Sequence, residues 1–149
     1  MGFRFGLSSV LKHRQRLEDI AQREYAEAQQ AVDEILSQIE AMYREIDETR
    51  AAIFSAQQSG RTRDLQVIHQ MEAFIDGQKI RIERTRLRAR ELLMTAEEKL
   101  EALITAAREK KILMKLKDRK FEEYKAWMNR LEAKALDDMT MTRTARGRK

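Results

Sequence analysis

His13 and His69 are the only histidines among the 149 residues, and cysteine is absent. Proton transfer, thiolate attack and zinc ligation draw mainly on these two residue types, each with partners at fixed spacing. Neither histidine lies in a His-Glu-x-x-His or EF-hand pattern, and five scattered glycines make no phosphate-cradling loop. Both imidazoles therefore read as solvated helix-surface groups. The acidic residues fall in runs such as Glu97-Glu98-Lys99-Glu101, where i to i+4 pairing with lysine is the ordinary explanation rather than an acid–base pair. Catalytic residues, cofactor and metal are all expected to be absent, which leaves contact with other molecules as the function.

Residues suited to contact are concentrated in three places. Phe3 and Phe5 open the chain, Met71, Phe74 and Ile75 lie just beyond its midpoint, and Phe121, Tyr124, Trp127, Met128 and Leu131 lie late. Charge is divided unevenly as well. Residues 1–60 hold 7 Lys or Arg against 10 Asp or Glu, net −3, and residues 61–149 hold 23 against 15, net +8. Lys79, Arg81, Arg84, Arg86, Arg88 and Arg90 oppose Glu83 alone, a density that attracts acidic protein faces or nucleic-acid phosphates. On one helix these cations radiate in several directions, and no zinc finger, leucine-zipper basic region or RNA-binding signature accompanies them. Specific nucleic-acid binding is accordingly the lesser expectation.

The elements that position these groups follow from composition. With no proline, few glycines and 37% charged residues, almost nothing punctuates the chain, so helix must run long. Steps of three and four from Leu7 give Leu11, Arg14, Glu18, Ala21, Tyr25, Ala28, Val32, Ile35, Ile39, Met42, Ile46, Thr49, Ile53 and Ala56, apolar except at Arg14, Glu18 and Thr49. A spacing near 3.5 residues keeps one seam facing a partner helix, the mark of a coiled coil. A second series follows: Ile68, Met71, Ile75, Gln78, Ile82, Thr85, Ala89, Leu93, Ala96, Leu100, Leu103, Ala107, Lys110, Met114, Lys117, Phe121, Tyr124, Met128, Leu131 and Ala135. Lysine can occupy such a seam with its stem while its ammonium reaches water.

Between the series lie Gly60, able to adopt positive φ, and the candidate N-caps Thr62 and Asp64. The expected fold is all-α, a single antiparallel coiled-coil hairpin. Helix one covers about 5–57, the turn about 58–63 and helix two about 64–138, with a frayed basic tail over 140–149. At 1.5 Å per residue the arms would be roughly 80 and 112 Å long. Phe3 would then face residue 117 and leave Phe121, Tyr124, Trp127, Met128 and Leu131 overhanging without an intramolecular partner. The longest apolar run, Ala51-Ala52-Ile53-Phe54, is far short of the roughly 18 residues of a membrane span. Insertion and secretion by a signal peptide are not expected, and the lack of cysteine fits a reducing cytoplasm.

Two terminal motifs make the sequence specific. Phe3-Arg4-Phe5-Gly6-Leu7-Ser8-Ser9-Val10-Leu11-Lys12-His13-Arg14 opens the chain. Lys110-Lys111-Ile112-Leu113-Met114-Lys115-Leu116-Lys117-Asp118-Arg119-Lys120 leads through Glu132-Ala133-Lys134-Ala135-Leu136-Asp137-Asp138 into the basic tail. Together they resemble the flagellar export protein FliJ family over nearly the whole length, with Asp137-Asp138 where family members often carry Asp-Glu. The resemblance implies a non-enzymatic component of the type III export apparatus, similar to the central stalk of rotary ATPases. Such a protein is cytoplasmic and peripherally associated with the inner membrane. It also implies partners: the hexameric export ATPase FliI, the export gate protein FlhA, and export chaperones.

Carried onto this chain, Phe3, Phe5, Leu7, Leu11, Phe121, Tyr124, Trp127, Met128 and Leu131 become candidates for the ATPase contact. Gln38, Met42, Met71, Phe74 and Gln78 become candidates for the gate contact. A basic nucleic-acid-binding coil or a homodimeric scaffold remain the alternatives that the seams and charges also allow.

Overall fold

The computed structural model describes residues 2–60 and 62–148. It is all-α: helix α1 runs Ser8–Ser59 and helix α2 runs Thr62–Arg146, with no strand among the described residues. The expected cap at the Thr62 side chain and the terminal Lys149 lie outside what is described. Helix α1 begins later than position 5 because Gly6 and Leu7 form a turn, in which the Ser8 amide donates to the Phe5 carbonyl at 3.1 Å. The first helical bond follows, from the Leu11 amide to the Leu7 carbonyl at 2.9 Å.

At the other end of α1, Gly60 takes a φ of 64°, the left-handed position that closes a helix C-terminus and that side chains resist. The Ser59 hydroxyl reaches the Ala56 carbonyl at 2.8 Å and the carboxylate of Asp64. Asp64 stands in the first turn of α2, where the helix dipole favours negative charge.

The chain divides into two compact units, residues 20–103 and residues 1–19 with 104–149. The first contains the turn and the hydrophobic core. Ile35, Ile39 and Ile46 of α1 pack against Ile75, Ile82 and Ala89 of α2, with Met42, Ile53 and Leu92 against the cluster. Burying each isoleucine contributes about 1.5 to 3 kcal/mol, so this seam is the main favourable term for pairing the helices. Contacts across it run antiparallel. Glu45 meets Gln78, Tyr43 meets Arg86, and Glu24 meets Lys99 at 3.1 Å.

In the second unit no described residue is fully buried. Its seam is ionic. Glu18 pairs with Lys110 at 3.2 Å and Arg14 with Glu109, beside half-buried Leu11, Ala106, Leu113 and Leu116. Together with Phe3 against Phe121, they make this pairing antiparallel too.

Three expectations differ from what is found. Along α2 the buried or half-buried positions after Ala89 include Leu92, Ala96, Lys99, Leu103, Ala106, Lys110, Leu113 and Leu116, whereas Leu93, Leu100, Met114 and Lys117 are exposed. From Ile68 to Leu113 the alternation of three and four never breaks, so the seam runs through the Lys99 stem, with neighbouring Leu100, 37% exposed, at its edge. The register also differs, since Phe3 lies against Phe121 rather than residue 117. Residues 2–5 are not helical, and extended chain advances about 3.3 Å per residue against 1.5 Å for helix, which carries Phe3 further along α2.

The third difference is at the C-terminal end, where α2 continues to Arg146 instead of fraying after 138. No proline or glycine lies between 138 and Gly147, whose amide caps the end on the Arg143 carbonyl at 3.0 Å. The hydroxyls of Thr140, Thr142 and Thr144 turn inward to carbonyls of the preceding turn.

Candidate functional site

Nothing in the described residues assembles a metal site: no group of three or more His, Cys, Asp or Glu converges. His13 is exposed, and His69 is exposed beside Glu72, 3.6 Å away on the same helix face. Each unit carries an exposed surface suited to contact.

In the ionic unit the non-helical opening of the chain folds over α2. The ring of Phe3 lies 5.3 Å from Phe121, edge to face, and 5.6 Å from Tyr124, which lies 6.1 Å from Trp127. Offset and edge-on aromatic pairs at these separations are each worth about 0.5 to 1.5 kcal/mol beyond their buried area. The Lys125 ammonium stands 5.1 Å over the Phe121 ring on the outer side. Phe121 and Tyr124 thus do not overhang alone, as the simple register required; Phe3 covers them. Trp127 remains 53% exposed and Leu131 44%, and Met128 is half-buried. A notch of about 430 Å³ opens beside this cluster, floored by Phe3, Phe5, Leu7, Leu116 and Tyr124 and edged by Lys120. Leu11 lies apart from it, in a smaller groove of about 270 Å³ with Lys110 and Met114.

In the unit that holds the turn, Glu48, Thr49 and Ala52 of α1 face Val67, Gln70, Met71 and Phe74 of α2 across a groove of about 410 Å³. Phe74 is exposed and Met71 half-buried on its α2 wall. Gln38 is exposed, and Met42 packs on the core. Gln78 needs correction. It is 2% exposed, so it is not part of any gate-facing surface. Its place in the heptad puts it inside the seam, where its amide nitrogen donates to Glu45 and its carbonyl oxygen has no partner.

Several features were not singled out from the sequence. Arg86 lies 5.7 Å over the Tyr43 ring and donates to its hydroxyl, bridging the helices outside the seam. Seam spacing alone places Tyr43 next to Met42 but does not say which arginine reaches it. The notch was not legible either, because it depends on the turn at Gly6-Leu7.

Among known proteins, residues 3–149 match the family model described as flagellar FliJ protein. No curated protein and no solved structure matches the chain.

Proposed function

The chain belongs to the flagellar FliJ family, and from that premise we propose that it is a stalk-like, non-enzymatic part of the flagellar type III export apparatus. It couples the export ATPase FliI, as a hexamer, to the export gate protein FlhA and assists chaperone or substrate handling. Family membership itself makes it a flagellar export-associated protein. None of its helices among the described residues is long and apolar enough to cross a membrane, which suits a cytoplasmic protein held peripherally at the inner-membrane apparatus.

The observation that carries the ATPase contact is the aromatic cluster. Phe3, Phe121, Tyr124 and Trp127 form one chain of rings, built from both ends of the sequence and left open at the indole. Tryptophan and tyrosine are the residues most enriched among the anchors of protein interfaces. Phe5, Leu7, Leu11, Met128 and Leu131 extend that surface. The groove at Met71 and Phe74, together with Met42 and Gln38 further along α1, is the gate contact in this reading. Such a protein influences nucleotide turnover only by binding some conformations of the ATPase ring more tightly than others.

Pull-down of the hexameric ATPase by the full chain tests the proposal. Deleting 1–17 or 118–149, or substituting Trp127→Ala, should each lower capture at least about tenfold. Undiminished capture by both truncated chains would remove the idea.

A further inference from the structure

Ile80 and Ile82 are two residues apart on α2 and have opposite surroundings. Ile82 is 2% exposed in the seam and Ile80 58% exposed, since two helical steps rotate a side chain by about 200°. Leu87 and Met94 follow Ile80 at seven-residue intervals and are 60% and 64% exposed. Seven residues make almost two turns, so these three aliphatic side chains form one line on the face of α2 turned away from α1. None of them joins the core cluster.

Cations border this line closely. Arg84 lies with Glu83 between Ile80 and Leu87, and Arg90 with Glu91 between Leu87 and Met94, while Arg81 and Arg88 occupy the adjacent flank and leave the face net positive. Arg86 is engaged with Glu83 at 2.8 Å and with Tyr43. Lys79, Arg81, Arg84, Arg88 and Arg90 pair with no carboxylate among the described residues.

We propose that this face of α2 docks a third helix, an amphipathic helix of a partner protein whose apolar residues recur in heptads and whose flanks carry carboxylates. The seven-residue interval matches the spacing at which one helix packs along another. The unpaired guanidinium groups supply the flanking charges that select an acidic partner and speed its arrival. A bilayer fits less well. A helix lying in a membrane surface needs a broad apolar face, whereas this line is one residue wide and would draw Glu83 and Glu91 toward lipid. The surface is separate from the aromatic cluster and from the groove beside the turn, and the inference stands without the assignment of either.

The probe is a labelled synthetic helical peptide with leucine at heptad seam positions and glutamate on both flanks, titrated into the full chain. A matched peptide with lysine for glutamate and phosphatidylglycerol vesicles complete the set. Only the glutamate peptide should bind, more weakly as salt rises. Leu87→Asp and the double change Arg84→Glu with Arg88→Glu should each weaken it at least about tenfold with helicity and melting unchanged. Ile112→Asp, at an exposed aliphatic of the other unit, should not change it. Equal binding of both peptides, binding indifferent to Leu87→Asp, vesicle binding that requires Leu87, or self-association of the chain that Leu87→Asp abolishes would each overturn the proposal.

Discussion

The ammonium of Lys110 and the carboxylate of Glu18 meet at 3.2 Å inside the helix seam, each side chain about three-quarters withdrawn from water. Ion pairs withdrawn this far recover little beyond the cost of desolvating both charges, so a well-packed apolar pair in the same place is neutral or stabilising by about 1 to 4 kcal/mol. The double variant Glu18→Leu with Lys110→Leu should therefore melt at or above the temperature of the parent. Lys110→Leu alone should melt lower, because it leaves Glu18 without its partner. A double variant less stable than the single one would show the pair to be a net source of stability.

Gln78 gives a second stability prediction. Its buried carbonyl oxygen lacks a donor, and an unsatisfied polar atom of this kind costs about 1 to 3 kcal/mol. Gln78→Leu should raise the denaturation midpoint even though it removes the hydrogen bond to Glu45. A lowered midpoint would mean that the Glu45 contact outweighs the orphaned oxygen.

At the turn, a methyl group added to Gly60 meets no atom within 4 Å, so only backbone conformation is at stake. Gly60→Ala should destabilise by about 1 kcal/mol and Gly60→Asn by less, since asparagine tolerates the left-handed region. Chemical denaturation distinguishes them, and equal stability of all three would argue against the left-handed closure.

Amide hydrogen exchange should follow the division of burial. Amides at 35–46 and 75–89, around the isoleucine cluster, should be the slowest. Those at 8–19 and 104–128, held by ion pairs and half-buried side chains, should exchange sooner, and those at 131–146 soonest. Uniform protection along α2 would contradict this order.

The α1 seam was legible almost position by position, because Ile35, Ile39 and Ile46 occupy it with the residues whose burial contributes most. Past Ala89 the same reasoning followed leucines to 93 and 100, although strict heptad geometry selects Leu92 and Lys99. A lysine with a long aliphatic stem is a poor signal and a workable seam residue. The position of Phe3 was not legible, because it depends on where helix α1 begins, and a turn at Gly6-Leu7 shifts it by several residues. The helical tail was missed for a different reason. Apolar spacing reports packing, and 131–146 is helical without packing, through its own backbone and threonine hydroxyls. For the candidate surfaces, sequence pointed to the aromatic residues but counted them as unpaired. It also assigned Gln78 both to the seam and to the outer surface, and burial decides for the seam.

The uneven seam also implies an order of assembly. Glu45 and Gln78 are 33 positions apart in the sequence, whereas Arg14 and Glu109 are separated by 95. Closing the shorter loop sacrifices less chain entropy, and it brings together the isoleucines that reward it most. Folding should nucleate beside Gly60 and zip outward. The charged contacts would then lock last, and on the ribosome the opening phenylalanines would wait for nearly the whole polypeptide to emerge before meeting their rings.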